Sequence, residues 1–241
     1  MPNTNREWIY WGEKDPLWAV SSQAGRERGG SREWTPAEFF AEGAEYFASI
    51  HRQWAHYGMG SFHCLEVGAG SGRLTKQLLQ SFNRVTAVDV SPAQLDMARQ
   101  LLGEDAERVT FAVVDDPAFP VPNGSADGIF STEVFQHFSG FEPIEAYLRD
   151  GFRALASGGT ICVQLPVVGM HPVSRMRFAL RAMRTNIERT LGRKNVMDYR
   201  FHEASRVLTA LSAIGYRDCE LRAFNVGAHN GQHAFFFARK P

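Results

Sequence analysis

Residues Cys64-Leu65-Glu66-Val67-Gly68-Ala69-Gly70-Ser71-Gly72-Arg73-Leu74 carry a short apolar run into an acid and three alternating glycines, then directly into a helical pattern. Leu65 and Val67 read as the end of a buried strand, and Leu74, Leu78 and Phe82 recur at the four-residue spacing of one helix face. Strand, turn and helix in immediate succession are the opening unit of an alternating α/β fold. Residues without Cβ permit positive φ and let a ligand approach the backbone closely. The following helix offers unpaired N–H groups and a partial positive charge to a carboxylate, a hydroxyl or a phosphate. Cofactor binding is therefore the default expectation.

The alternation continues along the chain, as a doubly wound sheet requires. Val85–Val90 reads as a second strand, and Ser91-Pro92-Ala93-Gln94 as a capping box opening a helix through Leu95, Ala98 and Leu101. Val109–Val114 and Gly128–Ser131 give two more strands, a helix runs from about Pro143 to Leu155, and Thr160–Leu165 is a fifth strand after the Ser157-Gly158-Gly159 stop. Glu203–Ile214 then reads as a helix, with Cys219–Val226 and His233–Arg239 as an antiparallel pair. Upstream, Thr35-Pro36-Ala37-Glu38 is a capping signature, and the helix it opens, striped by Phe40, Phe47, Ile50 and Trp54, ends near Gly58. The first thirty-four residues show no clean period and are expected to form an irregular arm. A chain of 241 residues fits one α/β domain with decorations. The expected division is 1–58, an arm and helix of the same domain, and 59–241, the binding domain, with a cap insertion at about 167–200.

Spacing selects among cofactors. A dinucleotide fingerprint needs G-x-G-x-x-G, but Arg73 stands at its third glycine, and no Gly-Lys-Ser/Thr follows as a P-loop requires. The run Glu66-x-Gly68-x-Gly70-x-Gly72 resembles the first motif of the class I S-adenosylmethionine-dependent methyltransferases, whose loop wraps the methionine and ribose of the cofactor. Val114-Asp115-Asp116-Pro117-Ala118-Phe119-Pro120 is similar to the family's "D-a-x-x-L-P-F" segment, with Phe119 in place of leucine and Val121 in place of phenylalanine. Arg153-Ala-Leu155-Ala-Ser157-Gly158-Gly159 resembles "R-x-L-k-P-G-G", with Ser157 replacing proline. The resemblance covers roughly residues 60–165 and 200–241 by motif order. It implies a Rossmann-like, mostly parallel seven-stranded sheet in the order 3-2-1-4-5-7-6 and S-adenosylmethionine as cofactor.

Carried onto this chain, it implies cofactor contacts from Glu66, Gly68, Ala69, Gly70, Gly72, Asp89, Val90, Asp115, Asp116 and Thr132. Asp89, closing the second strand, would accept both ribose hydroxyls; the alternative is a turn aspartate capping the next helix. Asp115 would receive the adenine amino group and Asp116 supply a backbone N–H; the alternative is two adjacent loop acids. Glu133 and His137, beyond the fourth strand, stand at the reaction crevice as candidate catalytic groups, with a wall residue as the other reading of His137. The implied reaction is in-line methyl transfer to a small or medium-sized acceptor, acidic ones included. Two alternatives stay open: an NAD(P)-dependent oxidoreductase, whose Tyr-x-x-x-Lys spacing occurs here only at Tyr10 to Lys14, and a non-catalytic protein that binds S-adenosylmethionine.

Composition sets the remaining bounds. Twenty-six basic and twenty-six acidic residues cancel, so no global field draws nucleic acid, and no stable membrane association is expected. Cys64, Cys162 and Cys219 are far apart, each within an apolar run, and read as buried free thiols of a cytoplasmic protein; no metal-ligand spacing is present. Met176, Leu180, Met183, Ile187 and Leu191 make an apolar stripe beside Arg177, Arg181 and Arg184, read as a cap helix over the site rather than a membrane or nucleic-acid element. His171, Tyr199, Arg200 and His202 flank it, and Trp11 with its aromatic neighbours is expected to fold over a sulfonium cation.

Overall fold

The computed structural model describes residues 3–138, 140–168, 180, 183, 200–225 and 232–241. The strands are β1 (His63–Val67), β2 (Arg84–Asp89), β3 (Val109–Val113), β4 (Ala126–Ser131), β5 (Leu155–Val167), β6 (Arg217–Asn225) and β7 (Gln232–Arg239). They form one sheet in the order β3-β2-β1-β4-β5-β7-β6. The first five pair in parallel, and β7 runs antiparallel between β5 and β6. The helices are α1 (Asn3–Lys14), α2 (Pro16–Val20), α3 (Pro36–His56), α4 (Thr75–Leu78), α5 (Pro92–Leu102), α6 (Phe141–Ala154) and α7 (Ala204–Ile214).

Two apolar layers flank the sheet, because successive side chains of a central strand point to opposite faces. Leu65 and Ile129 pack with Ile144, Leu148 and Leu211 on the α6 and α7 side. Cys64 and Phe130 pack with Ile50, Trp54, Leu78 and Leu95 on the side of α3, α4 and α5. Trp54 stacks on Phe130 with ring centroids 5.7 Å apart, and its indole N–H donates to Thr160 Oγ1 at 2.9 Å. Glu66 lies on this second face and so reaches the helix that follows the glycines.

Several local expectations are corrected. The first thirty-four residues are not an irregular arm, since Asp15 caps α2 through the Trp18 N–H and α1 packs on α5. Tertiary docking organises a segment whose own period is weak. The Thr35 capping box is complete, with both reciprocal bonds made, but Phe39 rather than Phe40 joins the buried stripe of α3. Ser91 caps α5 through the Gln94 N–H; Gln94 itself turns away to Ser71 and to the Pro16 carbonyl, so only half of the expected box forms. The helix after the glycines has just four residues, although Leu74, Leu78 and Phe82 are all buried as predicted. Ser157-Gly158-Gly159 does not separate helix from strand, because β5 begins at Leu155, opposite a register shift between Ala126 and Gly128.

The expected cap helix lies outside the described residues, apart from the exposed helical positions Leu180 and Met183. His171 and Tyr199 lie outside them as well. Cys64 and Cys162 are buried and Cys219 half-buried, all three as free thiols, and burial pushes their pKa up. No helix among the described residues is long and apolar enough to cross a membrane.

Candidate functional site

A cavity of about 960 Å³ opens at the carboxyl ends of β1, β2 and β4, where an open α/β sheet presents its ligand crevice. Its floor is the glycine loop. Gly68 and Ala69 N–H both donate to Val88 O, at 2.8 and 3.1 Å, which ties the loop to the end of β2. Gly68 and Gly70 hold φ of 77° and 53°, conformations that suit glycine. A Cβ on Gly68 would run into Val134, and one on Gly70 would lie 2.6 Å from Val20 Cγ2. The loop is thus a cradle that a side chain would fill. Gly72 also has positive φ, 81°, but it does not line the cavity; a Cβ there would stand 3.1 Å from that of Ala98, so its place is to seat the turn on α5.

Asp89 braces the loop with both carboxylate oxygens, accepting from Gly70 N–H and Ser91 N–H at 2.9 Å each. Asp89 therefore caps the next turn, as its alternative reading has it, and also lines the cavity. Burial raises its pKa, while these backbone bonds pull it down. Glu66 is fully buried, accepts from Thr75 Oγ1 at 2.6 Å, and is pushed up to about 8 by desolvation. Val90, Asp115, Asp116 and Thr132 line the same cavity, the two aspartates from an exposed turn after β3. Tyr147 of α6 reaches the wall beside them, and its phenol is raised to about 12, first by burial and then by those acids and Asp89.

Beyond β4 the chain turns tightly. Glu133 has φ of 60°, one of two non-glycine residues with positive φ among the described residues. A strained backbone of this kind persists only where its surroundings fix it. Gln164 of β5 does so, its side-chain carbonyl accepting the Glu133 N–H at 2.7 Å while its amide meets His233 Nδ1 of β7. The Glu133 carboxylate accepts from Gln136 Nε2 at 2.6 Å and lies 4.0 Å from His233 Nδ1. Burial lowers His233 to about 4, so that imidazole is neutral near pH 7. Glu133 is raised by burial, although 39 % of its side chain stays accessible to the cavity. His137 lines the cavity too, its ring 4.6 Å from that of Trp8 and its Nε2 3.2 Å from Gln136 Nε2.

The N-terminal helices roof the site. Trp8 lines the cavity, whereas Trp11 packs between Tyr10 and Trp18 and does not, so the expected aromatic cover is carried by a different residue. From α3 come Glu42 and Tyr46, neither singled out by the sequence; both sit against Arg73, the residue that broke the dinucleotide pattern. Their i, i+4 spacing on one helix was the available signal. Arg200 is exposed and does not line the cavity, though its N–H donates to the carbonyl of the lining residue Gln136 at 2.8 Å, and His202 is buried outside the cavity. Among the described residues no group of three His, Cys, Asp or Glu side chains is placed to hold a metal ion.

Residues 65–163 match a protein-family model described as a methyltransferase domain. The chain is 35% identical over 115 residues to a malonyl-acyl-carrier-protein O-methyltransferase of Serratia marcescens, covering 43% of this chain and 40% of that protein. It is 29% identical over 147 residues to a trans-aconitate 2-methyltransferase of Paracidovorax citrulli, covering 59% and 54%. The chain thus spans roughly a third to about half of the length of these and other curated relatives, with 37% and 39% for two uncharacterised methyltransferases. Among solved structures, the N-methyltransferase NodS from Bradyrhizobium japonicum, bound to S-adenosylhomocysteine, shares the fold with a TM-score of 0.67, 18% identity and 99% coverage of both chains.

Proposed function

We propose that this chain, in which residues 65–163 are a methyltransferase domain, transfers a methyl group from S-adenosylmethionine to a small-molecule acceptor held in the cavity. One observation carries the reading: Asp89 and the glycine cradle are joined by the Gly70 N–H bond, on a cavity that also holds Glu66 and Asp115. That donor and acceptor set fits the ligand. Asp89 would take the ribose hydroxyls, Asp115 and the Asp116 N–H the adenine edge, and Glu66, a neutral acid at pH 7, would offer its carbonyl oxygen as an acceptor to the amino-acid end. Ala69, Val90 and Thr132 complete the wall.

When bound, the cofactor supplies a methyl group on a sulfonium, which is already a good leaving group. The protein's part is to hold the nucleophile in line, at about 3 Å, and to exclude water. Glu133 is the group assigned to the acceptor's proton, because it faces the cavity and its raised pKa lies closer to the working pH of a base. His137, packed on Trp8, serves as wall. An acidic acceptor is the finer reading, supported by the names of the malonyl and trans-aconitate enzymes and by Arg73, the one arginine or lysine among the described lining residues.

Incubation with S-adenosylmethionine and an acceptor library that includes trans-aconitate tests the reading. Release of S-adenosylhomocysteine is expected for at least one acceptor, and Glu133→Gln should lower that rate about a hundredfold for a hydroxyl acceptor. Tight cofactor binding with no release for any acceptor would leave the protein as a non-catalytic binder.

A further inference from the structure

Resting on the reading that this cavity takes S-adenosylmethionine, we propose that Tyr46 and Arg73 form a carboxylate-binding subsite, with Arg73 Nε and the Tyr46 hydroxyl donating to the anion. Both atoms are buried and have no hydrogen-bond partner among the described residues, and both side chains line the cavity. A buried donor without a partner costs free energy, so two of them on neighbouring side chains mark a place where an acceptor belongs.

The site is built, because α3 devotes three positions to Arg73. Glu42 pairs with the guanidinium through Nη1, which holds the planar group in one orientation. Gly43 lets the helix lie directly on the arginine: a Cβ there would stand 2.7 Å from Arg73 Cγ and 2.9 Å from its carbonyl oxygen. Tyr46, one turn on from Glu42, places its ring 5.4 Å from the guanidinium carbon. Nη1 is used, and Nε remains.

A planar anion with two oxygens suits the Nε donor and a neighbouring phenol better than a single-point acceptor does. The surroundings narrow the ligand further. Glu133, Asp115 and Asp116 line the same cavity, so an anion carrying its own cation, as an α-amino acid does, is favoured over a bare polyanion. Arg73 directly follows the glycine cradle, which places the subsite at the loop end of the cavity. The carboxylate has two sources, the amino-acid arm of the cofactor or an acidic acceptor.

Calorimetry on the full chain separates them, using S-adenosylhomocysteine, 5′-methylthioadenosine, which lacks the amino-acid arm, and trans-aconitate in the presence of saturating S-adenosylhomocysteine. With the cofactor as source, Tyr46→Phe and Arg73→Lys each weaken S-adenosylhomocysteine by at least about tenfold and leave 5′-methylthioadenosine unchanged. With the acceptor as source, trans-aconitate binding is lost in both variants while S-adenosylhomocysteine is unaffected. Tyr46→Phe removes an unpartnered buried hydroxyl, so the ligand-free variant should melt no lower than the parent, an outcome a merely structural hydroxyl would not give. Should Arg73→Lys fail to fold, Tyr46→Phe decides alone. Parental affinity for S-adenosylhomocysteine with no loss of trans-aconitate binding overturns the subsite. A parent protein that binds neither adenosine ligand overturns the cofactor reading instead, and trans-aconitate alone then decides the subsite.

Discussion

The floor of the cavity is fixed by backbone N–H groups, Gly68 and Ala69 donating to Val88 O and Gly70 to the Asp89 carboxylate, whereas its roof is fixed by side chains and a few long-range contacts. On the roof, α1 and α2 are anchored where the Pro16 carbonyl accepts from Ser71 Oγ and Gln94 Nε2, at 3.2 and 3.1 Å. Gly12 lies so close to Ser91 that a side chain would displace it. Sheet hydrogen bonds persist whatever the side chains are, so the floor is the same for every ligand of its class. Roof residues are free to vary the other half of the cavity without disturbing the sheet. The floor should therefore set whether the cofactor binds, and the roof how tightly and with what acceptor.

That division is broken or sharpened most strongly at Gly68. Gly68→Ala forces a residue with Cβ into φ of 77° and against Val134. A loss of about 2 kcal/mol in stability and roughly a hundredfold in S-adenosylhomocysteine affinity is expected, read by thermal unfolding and calorimetry. Asp89→Ala comes next, removing the acceptor of two backbone N–H groups as well as the proposed ribose contact, and should cost about tenfold or more in affinity. Unchanged affinity would take Asp89 out of the site.

Deletion of residues 1–20 tests the roof. About a fivefold loss of affinity is expected, with the far-ultraviolet signature of the sheet retained. A loss as large as that of Asp89→Ala would erase the distinction between floor and roof.

These sites were not equally legible from the residues. The floor is readable because its chemistry is local: an acid, three glycines, a strand-end aspartate and a post-strand acid occupy fixed offsets within α/β units, and the strand order follows from the family resemblance that these motifs carry. Gly72 belongs to the same glycine pattern but lies off the cavity, where its positive φ seats the turn against Ala98. The roof was not legible. Its helices take their places by docking onto α5 and the glycine loop, and Tyr46, Glu42 and Arg73 meet across a gap of about thirty residues that no short spacing encodes. Glu133 was found as a loop acid, but its positive φ and its support from Gln164 depend on strands far along the chain.

The smallest effect at neutral pH belongs to Glu66. Its carboxyl is raised from 4.5 to about 8 by burial, so it is protonated at pH 7 and glutamine is a close mimic there; affinity for S-adenosylhomocysteine should stay within about threefold. The pH dependence is the sharper readout. A raised acid contributes its stability fully below 4.5 and loses it as pH rises through about 8, so the melting temperature of the parent should fall across that window relative to Glu66→Gln. Parallel curves for the two proteins would show that Glu66 is charged in the fold.

The central claim, that the glycine floor with Asp89 binds S-adenosylmethionine rather than a dinucleotide, is tested most directly by thermal shift of the intact chain against S-adenosylhomocysteine and NAD at equal concentrations. Stabilisation by S-adenosylhomocysteine that grows with the logarithm of its concentration, reaching about 2.7 kcal/mol at a hundred times Kd, and no shift with NAD, is the predicted result. Stabilisation by NAD alone would contradict it.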